Sequence, residues 1–182
     1  WNGPVDPETL ELQGRAAYGA GDLEAALGAY EALHRLHLEA GRPHDAAQAA
    51  VIVGMYLMMD TGLMAPVRAW LARAERLLAD APDSPVHAWR AAVATYERFM
   101  CGDMPGAAGC ARRAIEGGER HGLAPPAIIG RTALGRIHIH DGDIERGLAM
   151  LDDVAIELST GQLDPMTTGQ MWCEVICAMQ WV

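Results

Sequence analysis

The chain has 182 residues, is 51% hydrophobic and has a mean hydropathy of +0.03, which fits a soluble folded protein and excludes a disordered one. Its net charge of −10 disfavours direct contact with nucleic acid, whose phosphates need clustered cations. All fourteen basic residues are Arg, and without Lys there is neither Schiff-base chemistry nor the phosphate-binding lysine of a P-loop.

β-branched and aromatic residues are sparse while Ala, Leu, Arg, Glu and Met abound, so the expected fold is all-α, in one domain over 8–182. Residues 1–7, with Pro4 and Pro7, read as a short lead-in. From Glu8 the pattern is helical, and it is punctuated on a fixed beat. Gly21-Asp22 returns as Gly62-Leu63, Gly102-Asp103 and Gly142-Asp143 at steps of 41, 40 and 40 residues, while Pro43, Pro85, Pro125 and Pro165 follow at steps of 42, 40 and 40. A period of this size means stacked units. Glycine can take the left-handed conformation that closes a helix, and the Asp after it can cap the next one. Proline fits the first turn of a new helix. Two marks per unit therefore imply a pair of helices per unit.

The first unit, 8–42, holds helices over 8–20 and Leu23–Ala40, stopped by Gly41-Arg42-Pro43. In its second helix Leu23, Ala26, Leu27, Tyr30, Leu33 and Leu38 recur at three- and four-residue steps as an apolar stripe, with Leu36 and His37 at its edge. The second unit, 43–83, turns at Thr61-Gly62, where Leu63 replaces the Asp and Thr61 is the substitute cap. The third, 84–123, turns at Gly102-Asp103, and the fourth, 124–163, at Gly142-Asp143. A partial fifth unit, 164–182, opens at Asp164-Pro165. Five residues after each corner stand Ala26, Val67, Ala107 and Gly147, and seven before it Gly14, Met55, Thr95 and Gly135, which predicts close helix crossings at small residues.

The arrangement of Gly14, Tyr18, Gly21-Asp22, Ala26, Tyr30 and Leu33 resembles the tetratricopeptide repeat, with units of about 40 residues instead of that family's 34. The resemblance implies a right-handed α-solenoid of about four helical hairpins plus a terminal helix, whose first helices line a concave face, and a scaffold that serves many kinds of partner. The runs Ala69-Trp70-Leu71-Ala72-Arg73-Ala74-Glu75-Arg76-Leu77-Leu78 and Trp172-Cys173, with Ile176, Ala178 and Gln180, are similar to the helical-repeat part of actinobacterial transcription regulators of the LuxR type. Trp172 stands where those relatives usually carry Tyr, and Met179 where they often carry Cys. The likeness implies a bacterial regulator whose DNA-binding domain lies outside these residues, and the start at Trp1 in place of Met separately predicts a piece of a longer protein.

Counting back from each corner places Tyr18 with Arg15 on the inner face of unit one, and Tyr56 and Met59 with Ala49 and Ile52 in unit two. Unit three supplies Trp89, Tyr96, Phe99 and Met100. Unit four supplies Arg136 and His140 with Ile129, Thr132 and Ile139, and the last helix Cys173, Cys177 and Trp181. An aromatic and Met-rich face of this kind suits an amphipathic helix, a peptide or a small apolar ligand, with Arg136 placed to fix an anion. The other reading of the same residues is packing of helix on helix, and a homodimer or assembly scaffold is the alternative function.

No cofactor or metal is expected. Cys173 and Cys177 near His138 and His140 lack zinc-finger spacing, and with Cys101 and Cys110 they read as reduced, packed thiols of a cytoplasmic protein. Glu31, His34 and His37 lack the facing carboxylates of a di-iron site and read as a solvated face, as do Asp152, Asp153 and Glu157. No hydrolase elbow, zincin motif or dinucleotide loop occurs, so no enzyme activity is expected.

Overall fold

The computed structural model describes residues 6–180, and among these every regular element is a helix. They are α1 (Pro7–Gly19), α2 (Leu23–Glu39), α3 (Pro43–Thr61), α4 (Met64–Leu77), α5 (Val86–Met100), α6 (Met104–His121), α7 (Ala124–His140), α8 (Ile144–Ser159) and α9 (Pro165–Met179). The all-α expectation holds, and the first two helices end within one residue of where the pattern placed them. The chain falls into two compact units, 1–86 and 87–182.

The corners form for the reason the sequence suggested. Gly21 has φ +79°, a left-handed value that glycine adopts without a Cβ clash. It lets the Gly21 N–H donate to the Tyr18 carbonyl and the Asp22 N–H to the Ala17 carbonyl, at 3.0 and 2.9 Å, closing the end of α1. The same pair of bonds recurs at Gly41, Gly102 and Gly142. Asp22 and Asp103 then cap α2 and α6, accepting from the Ala25 and Gly106 N–H groups at 3.0 Å. Asp143 departs from the expectation: it makes no side-chain cap on α8, and its carboxylate lies 3.8 Å from His138 Nδ1. At the second corner Thr61 does not substitute: α4 has no side-chain cap, and the Thr61 hydroxyl accepts from the N–H of Leu63, before the helix begins, at 3.1 Å and donates back to the Leu57 carbonyl at 2.6 Å.

In the first unit each helix packs on the next in sequence, around Leu10, Ala26, Tyr30, Leu33, Ala49, Val53 and Tyr56. In the second, α7 packs on α6 and α8 around Ala107, Ala108, Ala111, Leu134 and Ile137, and α9 covers α7 and α8 through Thr167, Met171, Val175 and Ala178. Gly135 and Gly147 meet as expected: a Cβ on Gly147 would lie 2.6 Å from the Gly135 carbonyl. Two other crossings differ. Gly14 first meets the Tyr30 ring and not Ala26, and the close approach of α3 to α4 is at Gly54, beside Val67 and Leu71, with Met55 half-buried.

Three burial expectations are corrected. The stripe on α2 runs Ala26, Tyr30, Leu33, His34, His37, so both histidines are buried where a solvated face was expected, and Leu38 points outward. Only Cys110 is a packed thiol, whereas Cys101, Cys173 and Cys177 are exposed. In α9 the buried residues fall at 167, 171, 175 and 178, which turns positions 173 and 177 to the outside. Asp152 and Asp153 are exposed as expected, but Glu157 is half-buried and accepts from Arg131 at 2.8 Å.

Candidate functional site

The first unit brings three of the expected inner-face residues together. Tyr18 of α1 stacks on Tyr56 of α3 with ring centroids 3.7 Å apart and planes 2° from parallel, and its hydroxyl donates to Met59 Sδ at 3.8 Å. Tyr30 of α2 meets Tyr56 edge to face at 5.6 Å. Tyr56 is 3% exposed, so this cluster is packing: the rings fill the seam that an apolar ligand would otherwise enter. Burial pushes the Tyr18, Tyr30 and Tyr56 phenols up, so all three stay neutral hydroxyls at physiological pH.

Beside this cluster the same three helices leave a cleft of about 300 Å³ open. Its floor is Tyr30, Leu33 and His37 of α2; one wall is Pro7, Glu8 and Glu11 of α1, and the other Asp45, Gln48, Ala49 and Ile52 of α3. Each part follows from local sequence. Asp6 caps α1 by accepting from the Thr9 N–H at 3.3 Å and Pro7 begins it, which sets Glu8 and Glu11 one turn apart. Pro43 begins α3, so Asp45 falls in its first turn and Ala49 and Ile52 one and two turns beyond. Ala49 and Ile52 had been placed on the inner face from sequence.

The charge in the cleft is negative. Asp45 Oδ2 lies 3.9 Å from Arg42 at the rim and 3.9 Å from His37 Nδ1. Glu8 and Glu11 have no ion-pair partner among the described residues. His37 is 8% exposed, and its Nδ1 has no hydrogen-bond partner. Burial, with Arg42 adding to it, holds the His37 imidazole below its ordinary value and therefore neutral. One turn earlier, His34 is also held neutral by burial, and its Nδ1 donates to the Ala46 carbonyl at 2.8 Å, tying α2 to the start of α3.

The second unit places its expected residues less uniformly. Tyr96 is 6% exposed, its hydroxyl has no hydrogen-bond partner, and burial pushes its phenol up. Phe99 is half-buried 6.4 Å from it, under the Arg136 guanidinium at 4.8 Å. Arg136 is paired with Glu174 of α9, so it is held by the fold's own carboxylate where an external anion had been expected. Trp89 is half-buried, while Met100, His140 and Cys173 are exposed; His140 Nδ1 lies 3.2 Å from Asp141. Trp181 lies outside the described residues. Among the described residues no group of three or more His, Cys, Asp and Glu side chains is placed to hold a metal ion, and no helix is long and apolar enough to cross a membrane.

Sequence reasoning missed Glu8, Glu11, His37 and Asp45 as a group. The available signal was the four-, three- and four-residue run Ala26, Tyr30, Leu33, His37, which puts a histidine on the buried stripe facing the first turn of the next helix. No protein-family model matches the chain, and no curated protein matches it in sequence comparison.

Proposed function

We propose that this chain is a non-catalytic helical-repeat module of the tetratricopeptide kind, holding a protein or peptide partner against the faces of its first helices, as part of a bacterial transcription regulator. The observation that carries this reading is the cleft walled by α1 and α3 and floored by α2. Ala49 and Ile52 form an apolar side and Glu8, Glu11 and Asp45 a polar rim, a division that suits a peptide side chain. A small apolar ligand is the poorer fit, because Tyr18, Tyr56 and Met59 already pack on one another. The forty-residue beat and the repeated glycine corners support the repeat assignment.

The test is to select peptides that bind the chain and measure them against Ile52→Trp, which fills the cleft from its half-buried wall. Binding should fall at least tenfold with helicity unchanged by circular dichroism. Equal affinity for the variant would overturn the reading.

The alternative, an assembly scaffold, is favoured by α9, whose outer side carries Ile176 and Met179 at 53% and 47% exposure together with Met166. Sedimentation over a hundredfold concentration range decides it, since a self-association patch shifts mass with concentration and Ile176→Glu would abolish that shift.

A further inference from the structure

The cleft between α1, α2 and α3 has a chemical preference that its shape alone does not state. Three carboxylates face it, and Arg42, half exposed at the rim, offsets one of them. An anion is therefore excluded. Side by side in its lining are two groups that can take a donor, Asp45 exposed at the rim and His37 buried. Asp45 Oδ2 accepts only. The neutral His37 imidazole has one ring nitrogen without a proton, and in the tautomer protonated on Nε2 it is Nδ1, the nitrogen that finds no partner. The 3.9 Å between them is too long for a direct hydrogen bond, so the imidazole does not satisfy itself on Asp45. A buried nitrogen left in this state costs free energy that a ligand donor would recover.

One atom that carries several protons can sit between the two and donate to both. An ammonium nitrogen has three donors and the positive charge that Glu8, Glu11 and Asp45 select. A hydroxyl offers a single donor and no charge. The rest of the lining includes the apolar Leu33, Ala49 and Ile52, which suits a methylene stem.

We propose that this cleft binds a primary ammonium carried on an aliphatic stem, donating to His37 Nδ1 and Asp45 and neutralised by Glu11. The inference deepens the peptide-binding reading and rests on it for the lysine source. A lysine side chain of a partner peptide and a free alkylamine share this chemistry. A second copy of the 182-residue chain does not supply it, because that sequence contains no Lys.

The test is calorimetric titration of the 182-residue chain with n-pentylamine, with n-pentanol as its uncharged counterpart, and with a peptide selected on the chain, synthesised with Lys and with norleucine at each Lys position. Pentylamine should bind and pentanol should not, and norleucine should weaken the peptide at least tenfold. Glu11→Gln and Asp45→Asn, both on exposed side chains and safe for folding, should each weaken pentylamine about tenfold, the worth of one charge-assisted hydrogen bond. Pentylamine binding together with indifference to norleucine would assign the site to small amines. Equal binding of pentanol, or amine binding untouched by both variants, would overturn the ammonium assignment. If the amine fails while selected peptides still lose affinity with Ile52→Trp, the ammonium inference is wrong and the peptide-binding reading stands.

Discussion

Adding one methyl group to a helix should have opposite effects at two glycines of this chain, and the structure gives the sign of each. Gly28, in the middle of α2, is exposed, and a Cβ built on it meets nothing within 4 Å. Gly28→Ala should therefore stabilise the first unit by the helix-propensity difference alone, about 0.5–1 kcal/mol. Gly147, in α8, gains the same propensity but has no room. Its Cβ would fall 2.5 Å from Ile139 Cγ1, 2.6 Å from the Gly135 carbonyl oxygen and 3.0 Å from the Ile139 amide nitrogen. Two of those three atoms are backbone and cannot rotate away, so α7 and α8 must separate. Overpacking of this kind costs about 1–3 kcal/mol, and the net effect of Gly147→Ala should be a loss of about 1–2 kcal/mol. Urea unfolding followed by helical circular dichroism reads both. At a slope of about 2 kcal/mol/M the Gly147→Ala midpoint should fall by half a molar or more and the Gly28→Ala midpoint should rise. A Gly147→Ala chain as stable as the parent would refute the α7–α8 crossing.

The thiols give a second expectation: in the folded chain Cys101, Cys173 and Cys177 should react with a thiol reagent at rates close to those of the unfolded chain, while buried Cys110 waits for unfolding; mass spectrometry after a short pulse of alkylation checks it. The helix caps give a third. Asp22→Ala should cost about 1 kcal/mol, because Asp22 accepts from the Ala25 N–H, whereas Asp143→Ala should cost clearly less because Asp143 caps nothing; urea midpoints compare them. The histidines give the fourth. His34 and His37 are both held neutral below the ordinary imidazole value of 6.5, so beneath that pH the unfolded chain binds more protons than the folded one, and stability present above 6.5 is lost as the pH falls. Urea midpoints measured at pH values from about 7.5 to about 5.5 should decline, and His37→Gln should flatten the decline.

What could be read in advance was whatever the backbone itself enforces. A corner that needs a left-handed residue selects glycine wherever it occurs, so Gly21, Gly62, Gly102 and Gly142 announced the helix pairs before any side chain was placed. Side-chain environments were less legible, because they depend on helix phase to within one residue. Moving the stripe on α2 by one step turned Leu38 outward and His34 and His37 inward. In α9 the same sensitivity exposed Cys173 and Cys177. Of the residues expected on the inner face, Tyr18 and Tyr56 stack on each other and Ala49 and Ile52 line a cleft, so their neighbours differ from those expected. The aromatic residues pack on each other, and the open space lies next to them among carboxylates that, taken singly, look like ordinary surface charge.

The central claim is that a partner is held between α1 and α3. It is met most directly by mapping amide chemical-shift changes of the labelled chain as a selected, tightly bound peptide is added. The account predicts that the largest changes fall on residues 7–11 and 45–52 and on Leu33 and His37. Changes concentrated on α9, with those segments unmoved, would contradict it.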